Sequence, residues 1–133
     1  MQEVLNLYND YTQWFNGNTL LTPIESQEKP TIKVEVPFLD SHNDGIVFYM
    51  QKLTEDTVTL TDDGWYLQDL DACGVDLNNE KIRELLRHYC INFDIQIIDD
   101  ELVAIAKIDA NLPVRINFYT QALILIAAIN WGE

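Results

Sequence analysis

Two short polar segments hold the side chains with the most chemical reach. Asp40-Ser-His-Asn-Asp44-Gly45 puts acids at the first and fifth positions of a loop and a glycine at the sixth. That order resembles the first half of a calcium loop, whose oxygen ligands suit a hard cation. The match then stops. The third position is His42, the twelfth is Gln51 where a bidentate glutamate is needed, and the flanks have strand rather than helix periodicity. Asp40, His42 and Asp44 are therefore weak metal candidates, and a polar turn held by Asx hydrogen bonds is the better account.

The second segment, Thr61-Asp62-Asp63-Gly64, offers two adjacent carboxylates at a strand end. Convergence of Asp62 and Asp63 with Asp40, and with His42 as a base, would make a ligand- or divalent-metal-binding site with hydrolytic chemistry within reach. A metal-dependent nuclease would also need Glu-x-Lys or Asp-x-Lys on a following strand, and neither occurs in the chain. A nucleotide is a poor guest at this helix start, because the carboxylates stand where a phosphate would dock and already satisfy the helix dipole. Zinc would have to draw on Cys73, Cys90, His42 and His88, none of which shows C-x-x-C or H-x-x-x-H spacing. Cys90 falls on the apolar face of a helix and reads as core. No catalytic residue and no cofactor is expected.

The elements that must position these residues follow from hydrophobic period. Val4, Leu7, Tyr8, Tyr11, Trp14 and Phe15 have helical spacing, with Gly17 and Asn18 as a left-handed stop. Thr19 to Pro30, with Pro23 and Pro30, reads as a loop. Ile32, Val34, Val36 and Phe38 then alternate with polar residues, and Ile46–Leu53 and Thr57–Leu60 continue as strands of a meander. A short helix carries Trp65, Leu67 and Leu70 and closes at Gly74. A second, capped by Asn78 or Asn79, carries Ile82, Leu85, Leu86 and Tyr89. Phe93, Ile95 and Ile97 alternate, Asp99-Asp100 turns the chain into Leu102–Lys107, and Asn111 with Pro113 opens a last helix running to about Trp131. The expectation is an α+β fold, α-βββ-α-α-ββ-α, with an antiparallel sheet of about five strands and helices mainly on one side. The 133 residues form one domain, 1–133.

Charge is the unusual quantity. The 22 Asp and Glu against 8 Lys and Arg leave a net charge of −14. Such a surface repels phosphate backbones and anionic lipid, which disfavours direct nucleic-acid or membrane-surface binding. Between Asp40 and Asp76 stand nine acids and one base, Lys52. The N-terminus lacks the basic start and apolar stretch of a signal peptide, and the most apolar run, Ala122 to Ile129, is far short of the ~20 residues a membrane span needs. The expected location is the cytoplasm, with both cysteines reduced. That same run is apolar on every face, so it is to be buried either by its own domain or by a partner copy, the latter putting Leu123, Ile126 and Ile129 at the interface of a homodimer.

Three pieces, PFLDSHNDGI (Pro37–Ile46), LTDDGWYLQDL (Leu60–Leu70) and the Gly74 just after, together with the length and the ββ-α ending, resemble an uncharacterised family of small bacterial and phage proteins, a domain of unknown function. The resemblance implies a bacterial, prophage or phage source and no particular chemistry. Small acidic phage proteins are often inhibitors of host defences, an association by type. The functional expectation is thus an interaction protein rather than an enzyme, the alternative being the ligand- or divalent-metal-binding, hydrolytic domain centred on Asp40, His42, Asp44, Asp62 and Asp63. Its acidic face, Asp40, Asp44, Glu55, Asp56, Asp62, Asp63, Asp69 and Asp71, would engage a basic surface on a nucleic-acid-handling protein, carboxylates standing in for phosphates.

Overall fold

The computed structural model describes residues 1–25 and 28–129. The chain runs α1 (Gln2–Gly17), β1 (Leu20–Ile24), β2 (Thr31–Leu39), β3 (Gly45–Lys52), β4 (Thr57–Thr61), α2 (Trp65–Ala72), α3 (Glu80–Asn92), β5 (Gln96–Ile98), β6 (Glu101–Lys107) and α4 (Leu112–Ala127). This is an α+β fold on one antiparallel sheet ordered β1-β2-β3-β4-β6-β5. The sheet has six strands rather than about five. The additional one is β1, which lies in the stretch expected to be a loop. Pro23 is tolerated there because β1 is an edge strand, paired only with β2 through Pro23↔Ile32.

Period-two patterning sets the core face. Val34, Ile46, Phe48, Val58, Leu60, Leu102, Ala104 and Ala106 are buried, and α2, α3 and α4 close over most of them with Tyr66, Leu70, Leu86 and Tyr119. Phe48 and Tyr119 meet edge to face at 5.1 Å. The opposite face of the sheet, with Lys33, Val47, Tyr49, Thr59 and Val103, stays partly solvated.

Local signals explain the helix ends. Asn79 caps α3, its side chain accepting from the Lys81 and Ile82 amides. At the end of α2, Gly74 (φ 88°) lets the Val75 amide reach Leu70 O and its own amide reach Asp71 O, a Schellman closure. Asp94 (φ 54°) does the same for α3, and Arg115 of α4 donates to the Phe93 and Asp94 carbonyls there. Asp99 and Asp100 are both left-handed, as a two-residue hairpin turn requires. Helix α1 ends differently from the expected left-handed stop. Asn18 has φ −109°, its backbone amide donates to the Trp14 and Phe15 carbonyls, and the Asn18 and Thr19 side chains add a second hydrogen bond to each.

The interface residues expected on the last helix need correction. Leu123 and Ile126 are 0 % exposed and Ile129 2 %, all inside the chain's own core, so none is available at an interface. The sheet on one side and α2 and α3 on the other supply the burial in place of a second copy. The expected extension of the helix to Trp131 lies outside the described residues beyond Ile129; α4 itself stops at Ala127.

Candidate functional site

Both polar segments fold as tight turns whose first acid is spent on backbone. Asp40 Oδ1 accepts from the His42 and Asp44 amides at 2.8 and 3.0 Å, and the Asp40 amide donates to Asp44 O. Ser41 Oγ fastens this turn to Ala127 O at the end of α4. Asp62, only 1 % exposed, accepts three amides: Gly64 and Leu102 on Oδ1, Tyr66 on Oδ2. It ties the start of α2 to β6. Burial pushes its carboxyl above the usual 3.8 although the three amides pull the other way. Among the described residues no buried side-chain nitrogen or oxygen lacks a partner.

The eight acids expected to form one face are therefore dispersed. Asp40 and Asp62 are buried, in structural roles. Glu55 and Asp56 occupy the β3–β4 turn, whereas Asp44 precedes β3, so the length of β3, roughly 26 Å, separates them. Lys52 also pairs with Glu55 at 3.2 Å. Asp69 and Asp71 are on α2, Asp69 turned toward His42.

A smaller acidic site replaces that face. Asp44 and Asp63 line one groove of about 400 Å³ with Lys33, Tyr49, Trp65 and Gln68. Asp63 and Tyr49 also line the adjoining groove, where Glu101 joins them. The Thr61 hydroxyl bonds to Glu101 Oε1 at 2.6 Å, and the Asp100 carbonyl lies beside Gly64. The β4–α2 turn and the β5–β6 hairpin, about 40 residues apart in sequence, thus bring Asp63, Asp100 and Glu101 to one end of the sheet. The base on the groove wall, Lys33, pairs with Glu35 at 3.8 Å. Trp65, carried on the short helix with Leu67 and Leu70, is 56 % exposed at this end, and Tyr66 is buried beside them.

The metal candidates regroup too. Among the described residues, His42 gathers not with Asp40 and Asp44 but with Asp69 and Cys73, their donor atoms all within 4.8 Å of one another. Sequence spacing offered one faint pointer to this set: Asp69 and Cys73 are four apart and share a face at the end of α2. Nothing in the sequence brings His42 to them.

A family model described as Domain of unknown function DUF1828 matches residues 36–126. The chain belongs to that family. The family segment starts near the end of β2 and stops in the last turn of α4, so it includes both turns, Trp65, the hairpin and the His42–Asp69–Cys73 group, and leaves out α1 and β1. No curated protein and no solved structure matches the chain. No helix among the described residues is long and apolar enough to cross a membrane.

Proposed function

We propose that this member of the DUF1828 family is a non-enzymatic interaction protein that receives a Lys- or Arg-bearing surface of another protein at the acidic end of its sheet. The supporting observation is the meeting of Asp44, Asp63 and Glu101 on adjoining grooves around the exposed Trp65. An indole face flanked by carboxylates suits a guanidinium, which stacks on the ring while its N–H groups find acceptors. Exposed tryptophans beside a groove are also the side chains that most often dominate binding energy. Phosphate would be repelled here, so nucleic acid is not the ligand. Where the basic surface belongs to a nucleic-acid-handling protein, the carboxylates occupy phosphate positions and the protein acts as a decoy. Under that reading a phage or prophage would carry it against a host defence protein, in the cytoplasm.

Two double charge reversals test the site against bulk charge. Asp44→Lys/Glu101→Lys alters the acidic end, and Glu55→Lys/Asp56→Lys makes the same charge change at the other end of β3. In pull-downs from a nuclease-treated bacterial lysate, the unaltered protein and the Glu55/Asp56 variant should retain the same basic protein at low salt and release it at high salt. The Asp44/Glu101 variant and Trp65→Ala should lose it while remaining folded by circular dichroism. Equal loss in both double variants would reduce the effect to net charge and end the proposal.

A further inference from the structure

The group formed by His42, Asp69 and Cys73 lies apart from the acidic grooves and has a geometry of its own. His42 Nε2 is 3.5 Å from Asp69 Oδ2 and 3.7 Å from Cys73 Sγ. Both partners therefore approach the same ring nitrogen. In a nucleophile–base–acid relay the thiol and the carboxylate would bond to opposite nitrogens of the imidazole, which this arrangement does not allow. One proton on Nε2 cannot lie in line with both neighbours. A cation standing between the three atoms can serve all of them.

The spacing fits a particular cation. Zinc bonds of about 2.3 Å to sulfur, about 2.05 Å to imidazole and about 2.1 Å to carboxylate, set at tetrahedral angles, put nitrogen and oxygen about 3.4 Å apart and nitrogen and sulfur about 3.6 Å apart. The two distances found here lie within about 0.1 Å of those edges. The donors match as well: one imidazole, one carboxylate and one thiolate balance a divalent ion's charge and combine the soft and borderline ligands that select zinc over magnesium or calcium. The scaffold is fixed beforehand. Cys73 caps α2 with its amide on Asp69 O, and the His42 amide is held by Asp40 Oδ1. His42 and Cys73 are exposed, which leaves the fourth tetrahedral position to water.

We infer that His42, Asp69 and Cys73 bind one zinc ion, with water as the fourth ligand. On binding, the Cys73 S–H bond breaks, the sulfur keeps the electron pair as the zinc–thiolate bond forms, and the proton passes to the buffer. Among the expected metal candidates Asp40 then acts only by holding the His42 backbone, and Asp44 takes no part.

The full chain, kept reduced and freed of metal with a chelator, is titrated with Zn²⁺ by calorimetry and with Co²⁺ by absorption spectroscopy. One ion per chain, a thiolate-to-cobalt charge-transfer band and intense visible bands of tetrahedral cobalt are expected. Release of one proton, read from the dependence of the heat on buffer ionisation, should accompany zinc. Cys73→Ser should abolish the charge-transfer band, and His42→Ala and Asp69→Asn should each weaken zinc at least tenfold. His88→Ala, which changes an exposed histidine outside the group, should change nothing. His42, Cys73 and His88 are exposed and Asp69 is half-buried, and circular dichroism checks that each variant is folded. The absence of the band in the unaltered protein, its survival in Cys73→Ser, or zinc affinity unchanged in His42→Ala would each overturn the assignment. The result is independent of the partner-binding proposal, whose variants leave all three ligands in place.

Discussion

Helices α1 and α4 are both 16 residues long, and their sequences suggest the reverse of what each does. The first has a clean apolar stripe, Val4, Leu7, Tyr8, Tyr11 and Trp14, of the kind that settles on a core. Yet α1 buries no residue; its link to the sheet is Phe15, whose ring lies 5.8 Å from that of Phe38. The second has apolar residues on every side and invites a partner, yet its own domain buries Tyr119, Thr120, Ala122, Leu123, Ile126 and Ala127. An apolar stripe states what a helix is able to bury. Whether it does so depends on which elements the chain brings alongside, and β1, the neighbour of α1, is an edge strand with Leu20 and Leu21 themselves exposed. The family segment, 36–126, contains nearly all of α4 and none of α1, so the stabilising packing and the shared sequence coincide.

The comparison is sharpest at Ile126. Ile126 is fully buried in the core cluster, so removing its side chain leaves a cavity there, and buried Ile→Ala changes cost about 2–5 kcal/mol. Ile126→Ala should lower the unfolding free energy by about 3–4 kcal/mol, read from urea melts. A loss under about 1 kcal/mol would mean that α4 is not the centre of the core.

Asp62 gives the next largest effect, and the only one with a pH signature. Asp62→Asn keeps the shape but turns an N–H group on one of three backbone donors, so a loss of about 2 kcal/mol at neutral pH is expected. Burial raises the folded-state value above 3.8, so between 3.8 and that value the folded protein holds a proton the unfolded chain has released. The part of the stability linked to this proton is thus fully present below 3.8 and is lost as pH rises through the folded value, while the three backbone hydrogen bonds remain. Stability of the native protein minus that of Asp62→Asn should fall across this window. A flat or rising difference would contradict the shift.

These two effects also separate what was legible in the sequence from what was not. Elements were legible wherever one period ran unbroken: the meander from Thr31 to Thr61, the Asn79 cap, the Asp99-Asp100 turn and the start of α4 at Asn111 and Pro113. Strand β1 was hidden because Pro23 argues against a strand except at an edge, and edge position is a property of the assembled sheet. The capping role of turn acids was legible at Asp40, where donor and acceptor are two and four residues apart. The Asp62–Leu102 bond spans 40 residues, and the meeting of His42 with Asp69 and Cys73 spans 27 and 31. Contacts of that range depend on strand order, for which local pattern carries no signal. The acidic surface was misjudged for a related reason. Counting charges along the chain put Glu55 and Asp56 with Asp44, and one strand length pulls them apart.

The smallest effect tests the other side of the opening comparison. Leu7 is 68 % exposed on α1, so replacing it leaves no cavity and returns no apolar surface to water. Alanine is also the better helix former, by a few tenths of a kcal/mol at most. Leu7→Ala should therefore move the unfolding free energy by less than about 0.5 kcal/mol, against several for Ile126→Ala. A loss above about 1 kcal/mol at high dilution would show that the stripe of α1 is covered after all and that the helix belongs to the folding unit. Near-neutrality would place the stability of the domain in the segment from β2 to α4. Leucine at position 7 would then remain unexplained by the chain's own folding.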